Sequence, residues 1–332
     1  MGAVATRDEI EAQIESAPTD DAAFLILGDL LQLEGDPRGE LIAIDAAALD
    51  GNHRGRWNLR RHELFERHPA LAPPSGRGLR IEWHLGFVRR VTVSTSAAYG
   101  ELFQHPSSRF VTEVVFLDYE AADFPALVAA ISRLTPHLRF LAIGDPESRH
   151  YRWAHERARL DLPALVETLP YLEHLYACEP VTIGNAPRLR TLRLEGDLDV
   201  LLHLQTAHLP ALEKLSLHDF VTHDVHVFDR IRWLLDSPPP GLVDLELIDI
   251  EGDDFVELLS RSALVKQLRA LRLWNAGITL DGARLLASSC GHLDLLDLSD
   301  PLLSDAAIAA VAGVAREVRT VSPWMRDVLR RG

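Results

Sequence analysis

The densest group of side chains able to hold a metal lies between His203 and Asp229: His203, His208, His218, Asp219, His223, Asp224, His226 and Asp229. A zinc site needs three or four such groups converging at roughly 2 Å. His223 and His226 are three apart and could share a helix face, but no known zinc spacing surrounds them, so surface histidines and no bound metal are expected. Cys178 and His174 lie four apart on a strand. Their side chains share a face but stand too far apart for direct proton transfer. The chain holds no G-x-S-x-G, P-loop or HExxH. No catalytic residue and no cofactor are therefore assigned, and the chain is read as non-enzymatic.

A second pattern is regular. Asp118, Asp145, Asp219, Asp249, Asn275 and Asp300 each follow the last apolar residue of a candidate strand by two. Stacked together they would line one rim. Such a rim either attracts a basic partner or a hard cation, or accepts backbone N–H groups where each strand ends. The second role is expected to dominate, and the first is compatible with it.

These positions are set by a recurring frame, Leu-x-x-Leu-x-Leu. It is cleanest at Leu268-x-x-Leu271-x-Leu273 and recurs at Leu189, Leu212, Leu242 and Leu293. Degenerate copies start at Val88, Val111, Leu138 and Leu172, and Val318-x-x-Val321 closes the series. Starts lie mostly 23 to 30 residues apart, a solenoid period. Apolar helical spacing follows most frames, with helices expected near Pro163–Leu169, Val225–Leu235, Asp254–Ala263, Gly282–Ser288 and Asp305–Val314. Others are expected near Ala122–Leu134, Leu198–Ala207 and Pro323–Leu329. The pattern implies an α/β leucine-rich-repeat solenoid over residues 79–332: a horseshoe with a concave parallel sheet and convex helices. Within that class the final frames resemble the ribonuclease-inhibitor and cysteine-containing subtypes. Those subtypes carry Asn or Cys three after the last strand leucine, whereas this chain has Phe220, Ile250, Ala276 and Pro301. Its turns must be satisfied another way.

Strand alternation sends the residues between the leucines to the concave face. Phe140, His174, Tyr176, Arg193, Lys214, His218, Glu246, Arg272, Trp274 and Asp297 are the candidate partner-binding residues there, with Asp118, Asp145, Asp219, Asp249 and Asp300 as the acidic rim. Aromatic and arginine side chains are frequent binding anchors. The alternative is that Arg193–Glu195 and Arg272–Glu246 simply pair within the sheet.

Residues 1–72 read as a helical cap. Pro18-Thr19-Asp20-Asp21 supplies N-cap side chains for a helix over Ala22–Leu33, so rich in Leu and Ile that it must be largely buried. Gly35-Asp36-Pro37-Arg38-Gly39 is a turn. Leu27-Gly28-Asp29-Leu30-Leu31 followed by Gly35-Asp36-Pro37-Arg38-Gly39-Glu40-Leu41-Ile42 resembles the repeat-companion domain of myxobacteria and planctomycetes, with Leu27 and Leu30 where Tyr and Trp are usual. The resemblance covers roughly Thr6–Leu49. It implies a bacterial source and a module that precedes leucine-rich repeats, and no chemistry. The basic stretch from Asn52 to His68 reads as a solvated helix face.

The charge balance of 34 Lys+Arg against 49 Asp+Glu gives −15. That argues against nucleic acid and favours a protein partner, a basic one above all. Met1–Gln13 lacks a basic start and an apolar core, no apolar run reaches the length of a membrane span, and Cys178 and Cys290 fall in different frames. A cytoplasmic, reducing setting without a disulfide is therefore expected. The function expected is a scaffold-like protein–protein interaction module. Its rivals are an inhibitor or immunity-type protein blocking a basic enzyme, and a metal-binding or GTPase-regulating protein.

Overall fold

The computed structural model describes residues 5–49, 54–74, 76, 78–94, 99–117, 131, 137–144, 146, 160–161, 163–177, 181–195, 204–218, 227–250, 252–290, 292–300 and 302–320. The chain is mixed α/β and divides into two compact units, one holding residues 1–146 and 168–172, the other residues 147–167 and 173–332.

In the first unit, helices α1 (Arg7–Ser16), α2 (Asp21–Glu34), α3 (Pro37–Leu49) and α4 (Arg54–Arg67) precede the hairpin β1 (Leu79–His84) and β2 (Phe87–Val93). The short helix α5 (Tyr99–Gln104) and strands β3 (Glu113–Phe116) and β4 (Phe140–Ile143) follow. The strand order is β1-β2-β3-β4, antiparallel in the hairpin and parallel afterwards. Thr6 and Glu9 close a capping box at the start of α1. Asp20 caps α2 through Ala22 N at 3.1 Å, as the sequence implied. Gly35, in the left-handed region at φ 75°, ends α2.

The Gly-Asp-Pro-Arg-Gly turn then does three things. Asp36 accepts from Arg38 N at 2.9 Å and so starts α3. Gly39 lets α3 lie against α2: a Cβ there would stand 2.6 Å from Gln32 N and 2.8 Å from Gly28 O. Arg38 reaches into the core, where Nη1 donates to Gly86 O at 2.8 Å and both terminal nitrogens reach Ser107 Oγ at 3.2 Å. Its guanidinium lies 4.8 Å from the Phe87 ring centre. From α3, Asp45 accepts Gly86 N at 2.9 Å. The hairpin turn, with Leu85 at φ 46° and Gly86 at φ 79°, is thereby held through both the N–H and the carbonyl of Gly86.

Helix α2 departs from expectation. It buries Ala23, Phe24, Leu27, Gly28 and Leu31, but Leu25, Ile26 and Leu33 are exposed, Leu33 to 87%. A helix apolar all round needs cover on every side, and α1, α3 and the hairpin cover only one.

The second unit contains β5 (Leu160–Asp161), α6 (Pro163–Glu167), β6 (His174–Ala177), β7 (Val181–Thr182), β8 (Thr191–Glu195) and β9 (Lys214–His218). After these come α7 (Val227–Asp236), β10 (Asp244–Ile248), α8 (Gly252–Ser260), β11 (Ala270–Trp274), α9 (Leu280–Ser289), β12 (Leu293–Asp297), α10 (Asp305–Val311) and β13 (Ala315–Arg319). Its main sheet runs β6-β8-β9-β10-β11-β12-β13, all parallel, while β5 and β7 pair separately. The helices expected near Ala122–Leu134, Leu198–Ala207 and Pro323–Leu329 fall wholly or mostly outside the described residues.

Successive frames lie in one register. Leu192, Leu215, Leu245, Leu271 and Leu296 form a buried row across five strands. At each strand start one carbonyl takes two N–H groups from the next frame: Arg190 O receives Glu213 N and Lys214 N at 2.8 and 2.9 Å, and Arg269 O receives Asp294 N and Leu295 N at 2.8 and 3.1 Å. The same arrangement recurs at Glu173, Glu213 and Val243. The closing frame is shifted by three residues from its expected place. Val318 pairs with Leu296, the second frame leucine, because α10 ends early at Val311 and the strand begins at Ala315.

The strand ends show how these turns are satisfied. Asp249 and Asn275 adopt the left-handed region at φ 59° and φ 50°, which Asp and Asn tolerate best among non-glycine residues. Asn275 Nδ2 donates to Asp249 Oδ1, and Asn275 N donates to Ser299 O at 3.1 Å. Asp300 accepts Leu302 N at 2.7 Å and, from the neighbouring turn, Gly277 N at 2.6 Å. Ile250 and Ala276, at the position where the usual ladder would stand, are buried core instead. We expect Asn275→Leu to cost about 1–2 kcal/mol in denaturant unfolding and Asn275→Gly clearly less, because only the leucine strains the left-handed backbone. Equal costs would remove the backbone explanation.

Candidate functional site: a charged row on the sheet face

On the face of the second unit's sheet opposite the leucines, side chains from neighbouring strands form a connected charged row. Arg193 on β8 pairs with Glu195 two residues on, and its guanidinium lies 4.9 Å from the Tyr176 ring centre on β6. Glu195 is opposite His218 of β9 in the strand register. His218 bridges two strands, with Nδ1 3.2 Å from Glu195 Oε1 and Nε2 2.6 Å from Glu246 Oε1 on β10. Arg272 on β11 pairs with Asp244 and lies 3.9 Å from Glu246. The imidazole can donate to both carboxylates only when it carries both ring protons.

Burial alone would push the Glu246 carboxyl up. The His218 hydrogen bond, with the positive charges of His218, Lys214 and Arg272, overcomes it and holds the group down at about 2. Glu195 shifts the same way: burial opposes, and His218 with Arg193 prevails. The row is therefore a set of paired charges fixed by a rigid sheet.

The predicted partner-binding residues do not all come together. Tyr176, Arg193, Lys214, His218, Glu246 and Arg272 are brought together, but Tyr176 and His218 are each 3% exposed and Glu246 is 9% exposed. These three support the face from below, while Arg193, Lys214 and Arg272 remain partly exposed. Trp274 is also partly exposed, next to Ile248 in the register, and its indole N–H has no hydrogen-bond partner among the described residues. His174 stands one row earlier, paired with Thr191. Asp297 pairs with Arg272 in the backbone register, yet its side chain is buried and accepts Ser299 N at 3.1 Å and Ser299 Oγ at 2.5 Å. Phe140 belongs to the first unit, where Arg90 lies 5.7 Å from its ring centre.

Of the acidic rim, Asp249 and Asp300 take the turn-bonding roles described above. Asp118, Asp145 and Asp219 lie outside the described residues, as do His203, His223, Asp224 and His226. His208 is exposed, and among the described residues no group of three or more His, Cys, Asp or Glu could hold a metal. Cys290 is a free, buried thiol, pushed up to about 11 by burial. Cys178 lies outside the described residues. No described helix is long and apolar enough to cross a membrane.

From sequence, Glu195 is expected only as a pairing partner of Arg193, and Asp244 is not among the candidate site residues. The signal was present: in a parallel register Glu195 must face His218, and Asp244 lies two residues before Glu246 on the same face.

No family model and no curated protein matches the chain. A solved structure does: a Bacteroides fragilis protein determined as a structural genomics target is similar, with a TM-score of 0.53 and 24% identity. The likeness is one of fold. It covers 65% of this chain and 66% of that one, just under two thirds of the other protein's length.

Proposed function

We propose that the chain is a non-enzymatic, protein-binding leucine-rich-repeat solenoid, and that its partner docks on the charged face of the parallel sheet. The observation that carries this is the row Arg193–Glu195–His218–Glu246–Arg272. Its charges are fixed in place before any partner arrives, so binding costs little ordering of side chains. Arg193, Arg272 and Trp274 supply the exposed edges of that row, and arginine and tryptophan are the residue types that most often carry binding energy. Among the described rim residues, the partly exposed Asp249 adds negative field at one border of the face. Residues 1–72, with their resemblance to the repeat-companion domain, are then the helical cap, residues 79–332 the solenoid, and a bacterial cytoplasm the setting.

The test is affinity capture from native host cells on immobilised protein, comparing the wild type with Trp274→Ala. We expect the variant to retain at least about tenfold less of the captured partner, the effect of losing an anchor worth roughly 2 kcal/mol. Recovery of the same proteins at the same level would rule out this face. Tyr176→Ala is unsuitable for the purpose, because a side chain buried to this degree reports on folding.

A further inference from the structure

Helix α2 has a second apolar face that is left exposed among the described residues. Around the helix, Ala22, Ile26, Asp29 and Leu33 share one side at i, i+4, i+7 and i+11, with Leu25 beside them. Leu25, Ile26 and Leu33 are 44%, 52% and 87% exposed. Solvating one such side chain is ordinary, but three on one side of a single helix, flanking Asp29, form a stripe.

The helices that carry and flank the stripe are acidic, with Arg109 pairing Glu11 and Glu15 and His84 pairing Asp21 from elsewhere in the unit. From Thr6 to Asp36 the chain carries one basic residue, Arg7, against nine carboxylates. Arg7 is taken by Glu11, Glu34 and Asp36. Asp29, in the middle of the stripe, has no hydrogen-bond or ion-pair partner among the described residues. The C-terminal turn of α2 also presents the negative end of the helix dipole and contains no basic side chain.

We propose that the exposed face of α2 is a docking site for a basic amphipathic helix of a partner protein, separate from the sheet face of the second unit. The partner's apolar side covers Leu25, Ile26 and Leu33, and its flanking Lys or Arg residues meet Asp29 and the negative C-terminal end of α2. A second copy of this chain fits worse. Asp29 lies close to the middle of α2, so antiparallel pairing of two such helices would bring Asp29 against its own counterpart, like charge against like.

The experiment uses the full chain and a labelled Leu/Lys amphipathic peptide of about five helical turns, titrated by fluorescence anisotropy. A Leu/Glu peptide of the same apolar pattern serves as comparison. Ile26→Gln with Leu33→Gln removes apolar contact at two exposed positions while leaving the charge of the protein unchanged. Binding of the Leu/Lys peptide, weakened by about tenfold or more in the double variant and by added salt, is the expected result. Equal affinity of the double variant would show that the peptide adheres to negative charge alone, and would overturn the proposal. So would equal binding of the Leu/Glu peptide, or no binding by the wild type. Sedimentation of the wild type as a dimer that the double variant abolishes would assign the face to a second copy, which also overturns it.

Discussion

Glu246→Ala is expected to lower the stability of the second unit by on the order of 3 kcal/mol. Glu246 accepts from His218 at 2.6 Å and faces Arg272 at 3.9 Å, and the region around it is nearly closed to water. Removing it leaves His218 Nε2 without its acceptor and removes the carboxylate shared with Arg272, and a buried cation that loses its partner is far costlier than an exposed one. The loss is read as a reduced midpoint in denaturant unfolding, with amide exchange in β9 and β10 locating it. A wild-type midpoint would mean that solvent already screens the group.

The same carboxyl predicts a pH dependence. Its folded value lies near 2, below its ordinary 4.5, so the folded state favours the ionised form. The sign follows: this contribution is fully present above about pH 4.5 and is lost as pH falls towards 2. Between those limits the wild type should lose stability more steeply than Glu246→Ala. Parallel acid limbs would assign the acid sensitivity to other groups.

Arg38→Ala is expected to cost the first unit roughly 3 kcal/mol, by loss of charged hydrogen bonds and of packing. Arg38 is 7% exposed and supplies donors to Gly86 O and Ser107 Oγ, the latter donating in turn to Leu71 O at 2.7 Å. Burial weakens the preference of its guanidinium for the charged form, with nearby Asp36 and Glu11 opposing that. Arg38→Lys tests the geometry, because an ammonium lacks the planar fork in which Nη1 and Nη2 both reach Ser107 Oγ while Nη1 holds Gly86 O. We expect lysine to recover less than half of the loss. Complete recovery would show that charge and stem packing suffice without the fork.

The leucine rows were legible because a buried row on a parallel sheet demands apolar residues at fixed strand positions, and those residues are Leu192, Leu215, Leu245, Leu271 and Leu296. The Gly-Asp-Pro-Arg-Gly turn was legible as a turn. That Arg38 crosses into the core was not, since its acceptors at Gly86 and Ser107 are 48 and 69 residues away. Asp249 and Asn275 were recognisable as strand-end residues, but local sequence does not separate an Asx-turn from a left-handed residue, because Asp and Asn favour both. The His218 bridge required knowing which residues of β8 and β10 stand on either side of β9. Helix α2 misled in an instructive way: apolar composition says that a helix wants cover, and does not say whether its own chain provides it.

The claim on which the rest depends is that frames stacked in one register link charges across strands into a fixed row. A double-mutant cycle between His218→Ala and Glu246→Ala measures that link directly. A coupling of about 1–3 kcal/mol between the two sites is expected, retained at high salt because the pair is buried. Additivity of the two substitutions within about 0.3 kcal/mol would contradict it.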